Sequence, residues 1–123
     1  MFFKRFIVLA LAIFIVGCSN SAGVKRDSFA KDDRVTIYYV HRDDCPACAY
    51  MDRVIQRKDI KSILKKDFKL IKVDFKDQKI LPDSSMVTNK TPTLYFIKDN
   101  KQVREPIHAL NPDAFKKILN SLK

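Results

Sequence analysis

Apolar positions recur in short runs along the chain, and the runs are separated by residues that favour turns. From Arg34 to Val40, Val35, Ile37 and Tyr39 fall on one side and Thr36, Tyr38 and Val40 on the other. All are β-branched or aromatic, which predicts a central strand covered on both faces. Tyr50, Met51, Val54 and Ile55 then recur at helical spacing up to about Arg57, with Pro46 at a first helical position. A second short helix is predicted from Asp59, with Ile60, Ile63 and Leu64 as its apolar face. The stretch from Phe68 to Phe75 alternates again and reads as a strand.

Residues 76 to 90 break this rhythm. They are polar and mixed, contain Pro82, and predict a loop with one helical turn around Ser84 to Val87. Thr91-Pro92 leads into the apolar run Thr93 to Ile97, and Asp99-Asn100-Lys101 turns into a second strand near Gln102 to Ile107, an antiparallel hairpin. Asn111 caps a final helix, with Pro112 in its first turn and Phe115, Ile118, Leu119 and Leu122 as its stripe. Tyr38, Tyr39, Tyr95 and Phe96 read as packing residues. This order of elements predicts an α/β fold with a central mixed β-sheet, a right-handed crossover and helices on both faces. No internal repeat or second domain is visible.

The N-terminal pattern is different in kind. Lys4 and Arg5 precede an unbroken apolar run from Phe6 to Val16, too short to span a bilayer comfortably, which reads as an export signal. It ends in Ile15-Val16-Gly17-Cys18, which resembles a bacterial lipobox. That resemblance implies cleavage before Cys18 and lipidation of Cys18. The organisation expected is a lipoprotein signal peptide over residues 1–17, a lipidated N-terminus and flexible tether over 18–33, and one folded domain over 34–123.

Charge changes the picture little. The chain carries 24 Lys and Arg against 14 Asp and Glu, a formal +10. The cations are interspersed with acids, and an exported protein seldom meets nucleic acid, so a solvated surface is the expectation and nucleic acid is not expected as a partner. Attraction to anionic lipid headgroups follows as a by-product.

Cysteine changes it more. With Cys18 lipidated, the three cysteines leave Cys45 and Cys48 as a pair. They are two residues apart, follow a predicted strand and open a predicted helix. Such a pair closes a disulfide with little backbone movement, and a helix N-terminus favours a thiolate. Thiol chemistry is therefore the first hypothesis.

Cys45-Pro46-Ala47-Cys48 after the first strand and Thr91-Pro92-Thr93 before the hairpin together resemble the thioredoxin-like superfamily, over roughly residues 34–122. The resemblance implies that Cys45 is the exposed nucleophile and that Cys48, one turn into the helix, is the more buried resolving cysteine. It implies a cis-Pro92 against the pair, with the backbone of Thr91 open to an extended substrate segment, and a tuning role for Pro46 and Ala47. Two departures stand out. Asp44 holds the place of the usual tryptophan, and Tyr39 holds the place of a buried acid, so resolution by Cys48 relies on water or another group. Asp43 and Asp44 oppose a Cys45 thiolate, while His41, Arg42 and the helix dipole favour one. His41 is either a pH-sensitive neighbour of the thiol or a strand-end surface residue, and His108 reads as structural.

The function expected is a lipid-anchored thiol–disulfide oxidoreductase of the cell envelope, facing the periplasm or extracytoplasmic side. It reduces or exchanges disulfides of exported proteins and is served by a membrane or envelope redox partner. Thr91 before the proline resembles the reducing and isomerising branch, while a Cys-Pro-x-Cys centre resembles strong oxidants; a reductase is favoured. No cofactor beyond the redox-active Cys45–Cys48 disulfide, no metal and a monomer are expected. Two other readings stand beside it: a copper- or zinc-binding module using Cys45, Cys48 and His41, and a non-catalytic scaffold lipoprotein of the same fold.

Overall fold

The computed structural model describes residues 32–123. The expected signal peptide, Cys18 and nearly all of the tether lie outside the described residues. Within them run β1 (Val35–His41), α1 (Pro46–Gln56), α2 (Lys58–Asp67), β2 (Phe68–Asp74), two 3-10 helices (Phe75–Ile80 and Ser84–Met86), β3 (Thr93–Lys98), β4 (Lys101–Gln102) and α3 (Pro112–Leu122). The strands form one mixed sheet in the order β2-β1-β3-β4. β1 and β2 run parallel from Val35–Phe68 to His41–Asp74, and β3 lies antiparallel on the other side of β1, from Thr36–Ile97 to Val40–Thr93. Parallel neighbours need a crossover, which α1 and α2 supply.

Strand alternation divides the core in two. On one face Ile37, Tyr39, Phe68, Leu94 and Phe96 meet Met51, Val54 and Ile55 of α1, Ile60 and Leu64 of α2, and Phe115 and Leu119 of α3. Burying a side chain of this size contributes about 2–3 kcal/mol. On the other face Val40, Val73, Tyr95 and Ile97 meet Leu81 and Met86 from the 3-10 region. The expected α/β architecture, a mixed sheet flanked by helices on both faces, is thus present, with α-helices on one face and 3-10 helices on the other.

Three of the helices begin at a capping side chain. Asn111 caps α3, its side chain accepting from Ala114 N–H at 2.9 Å. Asp74 and Asp83 do the same for the two 3-10 helices, accepting from Lys76 and Ser85 N–H at 2.9 Å. The segment after β2 is therefore more regular than the loop expected there, though it kinks at Asp77. The hairpin turn uses Asp99 (φ 52°) and Asn100 (φ 62°), two residue types that tolerate the left-handed region.

The second hairpin strand, expected over Gln102 to Ile107, is shorter than predicted. Pairing stops after Gln102, with one further bond from Val103 N–H to Phe96 O at 2.9 Å. The chain rejoins β3 at Ile107, which exchanges hydrogen bonds of 2.8 and 3.0 Å with Leu94. Pro106 has no N–H to give to a ladder, and Arg104 Nε donates to Glu105 O, so the stretch between bulges away.

Candidate active site

β1 ends at His41, and four residues later Cys45 begins α1. Its backbone is extended (φ −134°, ψ 99°), and its sulfur accepts from Cys48 N–H at 3.1 Å, so the side chain caps the helix it precedes. Pro46 follows at the first helical position, where its missing N–H leaves no bond unmade. This places Cys48 one turn in, and the two cysteines are joined by a disulfide with their Cα atoms 5.1 Å apart. Pro46 and Ala47 between them are exposed.

The cysteines differ less in exposure than expected. Cys45 is 7% exposed and Cys48 2%. Thr91, which joins Pro92 through a cis peptide bond at the entry to β3, lies against Cys45. Thr91 Oγ1 donates to Cys45 Sγ at 3.5 Å, and the Thr91 carbonyl oxygen is also 3.5 Å from that sulfur. Thr91 thus suits both reduced forms of the sulfur: its hydroxyl supports a thiolate, and its carbonyl accepts from a thiol. Thr91 N–H makes no hydrogen bond among the described residues.

Tyr39 lies beneath the pair. It is fully buried, and its hydroxyl donates to the carbonyl oxygen of Cys48 at 3.0 Å. Burial first, then the nearby Asp52 carboxylate, push its ionisation far above the usual tyrosine range. Lys72, opposite Tyr39 in the β1–β2 register, sits with Nζ 3.6 Å from Asp52 Oδ1 and 5.7 Å from the centre of the Tyr39 ring. The residue standing where a buried acid was looked for is therefore a neutral phenol that holds the Cys48 backbone.

His41 packs its ring 5.5 Å from that of Tyr39. The hydrogen-bond partners of Cys45 Sγ are Cys48 and Thr91, and His41 is not one of them. Asp43 and Asp44 are exposed, and Asp43 O accepts from Cys45 N–H at 2.8 Å. Both line a cleft of about 490 Å³ with Arg42, Asp74, Phe75 and Lys76, in which the Arg42 guanidinium lies 5.8 Å from the Phe75 ring centre.

Sequence reasoning missed the groups that hold the Thr91 side of the site. Gln78 is buried; its amide nitrogen donates to Phe75 O (3.1 Å) and Thr88 O (2.8 Å), and its oxygen accepts from Thr88 N–H (2.7 Å). His108, read as structural, has Nδ1 3.0 Å from Pro92 O and 3.3 Å from Thr93 Oγ1. No periodicity marks a glutamine in a polar stretch. Asp52 was findable, because it lies four residues after Cys48 on the same helical face.

No protein-family model matches the sequence, and neither does any curated protein. Solved structures do match. The chain is similar to a thioredoxin from Thermus thermophilus, at 22% identity over 72% of each chain with a TM-score of 0.61. It is similar to the germline-specific thioredoxin Deadhead of Drosophila melanogaster, at 18% identity over 80% of this chain and 90% of that one, with a TM-score of 0.61. A mutant thioredoxin from Halobacterium salinarum matches at 23% identity over 80% and 83%, with a TM-score of 0.58. The fold is that of the thioredoxin-like superfamily. At these identities the likeness shows the fold alone.

Proposed function

We propose that this protein is a thiol–disulfide oxidoreductase. The observation that carries the reading is the Cys45–Cys48 disulfide at the start of α1, with Thr91 against Cys45 Sγ and a cis peptide bond joining Thr91 to Pro92. In the reducing direction the Cys45 thiolate, favoured by Cys48 N–H, Thr91 O–H and the α1 N-terminus, attacks a substrate disulfide. A mixed disulfide forms and one substrate sulfur leaves as a thiolate. The Cys48 thiolate then attacks Cys45 Sγ, closing the Cys45–Cys48 bond and releasing the second substrate sulfur, so that two electrons pass to the substrate. The unpaired Thr91 N–H gives an extended substrate chain a main-chain partner beside the reacting sulfur.

The finer assignment rests on the sequence. A lipid anchor at Cys18 and an export signal over residues 1–17 put the domain in the cell envelope, facing the periplasm or extracytoplasmic side. Its substrates there are disulfides of exported proteins, and an envelope redox partner re-reduces it. Thr91 before the proline favours a reductase. Among the described residues no cluster of three or more His, Cys, Asp and Glu side chains is arranged to hold a metal ion, so no observation favours the copper or zinc reading.

The test is Cys48→Ala in cells. The variant should accumulate mixed disulfides between Cys45 and its partners, separable on non-reducing gels, and Cys45→Ser should abolish them. No trapped species under either oxidising or reducing growth would leave the scaffold reading in its place. A reduction potential at the strongly oxidising end would reverse the proposed direction.

A further inference from the structure

A second cleft, of about 610 Å³, flanks the Thr91-Pro92 segment. Lys90 and Thr93, on either side of that segment, line it with Val87, Thr88, Asn89 and His108. Its walls are fixed by a run of hydrogen bonds. Gln78 pins the backbone of Thr88 in both directions. Thr88 Oγ1 accepts from Lys90 N–H at 3.1 Å, and Thr93 Oγ1 donates to Lys90 O at 2.7 Å. His108 Nδ1 closes the run on Pro92 O. A carbonyl oxygen can only accept, and the Thr93 hydroxyl hydrogen is already given to Lys90 O. The hydrogen in the His108 contacts therefore sits on Nδ1, which locks the ring across the segment.

Lys90 is held differently from its side chain. Its backbone is bonded at both N–H and C=O, while its exposed ammonium group makes no ion pair among the described residues. The residues lining this cleft include a lysine and a histidine and no carboxylate. The cleft beside Asp43 and Asp44 is the opposite case, setting three carboxylates against two cations. Charge selection at this site thus falls to the Lys90 side.

We propose that the Lys90–His108 cleft is a substrate subsite that takes an acidic side chain, Asp or Glu, of a peptide laid along Thr91 while its cysteine reacts at Cys45. The proposal rests on the exchange chemistry proposed above. In an extended peptide, side chains two positions apart lie on one side and about 7 Å from each other. A carboxylate two residues from the substrate cysteine is then the one brought to Lys90, whose backbone adjoins the residue touching Cys45.

The test uses the Cys48→Ala protein and three peptides, each with one cysteine capped as a thionitrobenzoate disulfide and with Glu, Gln or Lys two residues away. The Cys45 thiolate forms a disulfide to the peptide as the peptide–thionitrobenzoate bond breaks, and the coloured thiolate that leaves reports the rate. At low salt the Glu peptide should react about threefold faster than Gln, and Gln about threefold faster than Lys, the size of a partly solvated charge pair. Lys90→Glu should invert the order. Lys117→Glu, which changes net charge equally from an exposed position on α3, should keep it. Equal rates for the three peptides would overturn the subsite, as would an order that survives Lys90→Glu or is inverted equally by Lys117→Glu. No release from any peptide, with Cys45 still alkylated by iodoacetamide, would remove the exchange reading and the subsite with it.

Discussion

Two walls meet at Cys45, and they are supported in different ways. The helix wall stands on apolar contact: Met51, Val54 and Ile55 of α1 are buried in one cluster with Ile37, Tyr39 and Phe96 of the sheet. The loop wall, from Thr88 to Thr93, stands on directional hydrogen bonds from Gln78, Thr93 and His108. Apolar contact is non-directional and shared with the whole core, so it ties the cysteine pair to global stability. Hydrogen bonds fix orientation, and here they set which way the polar atoms of Thr91 face. One wall keeps the site in existence, and the other aims it.

This contrast is open to measurement. Met51 is wholly buried, so Met51→Ala should cost about 2–5 kcal/mol in urea unfolding. A loss below about 1 kcal/mol would mean that the helix wall is not anchored by its core face. Gln78→Ala removes the amide that three backbone groups use and should cost less, about 1–3 kcal/mol. It should also change the alkylation rate of reduced Cys45, because Thr91 loses its support. Loss of stability with an unaltered alkylation rate would make the loop wall merely structural.

Tyr39→Phe should have the smallest effect, about 1 kcal/mol at neutral pH, since it removes one buried hydrogen bond but little volume. Its signature is alkaline. The folded protein holds Tyr39 protonated above the pH at which an unfolded tyrosine ionises, near 10, chiefly through burial. That contribution is complete below about pH 10 and is lost as pH rises from there, with a slope of up to about 1.4 kcal/mol per pH unit. The stability difference between wild type and Tyr39→Phe should therefore shrink above pH 10. A difference that stays constant to pH 11 would mean that Tyr39 ionises freely in the fold.

The same contrast marks what the sequence could show. The helix wall was legible because a buried face leaves a period: Met51, Val54 and Ile55 recur at helical spacing, and Pro46 and Asn111 mark helix starts in a way that survives in any context. Val35 to Val40 announced its two buried faces by carrying β-branched and aromatic residues on both. The loop wall left no such trace. Gln78 lies between exposed Asp77 and Lys79, and two of its three hydrogen bonds go to Thr88, ten residues further on. His108 gains its place from the Ile107–Leu94 bridge, a long-range pairing that follows a failed strand. The burial of Cys45 is illegible for a related reason, since Thr91, 46 residues further on, lies against it.

The position of β2 has a further consequence. Among the described residues it is the outermost strand on its side, seven residues long and paired to β1, and a free strand edge is a template on which another chain could add. Lys69 and Lys72 on it are exposed, and Lys65 and Lys66 precede it. A second strand docking there would have to strip water from these ammonium groups or bring like charges of a sister molecule together. The lysines on and beside β2 therefore raise the cost of adding a strand at this edge.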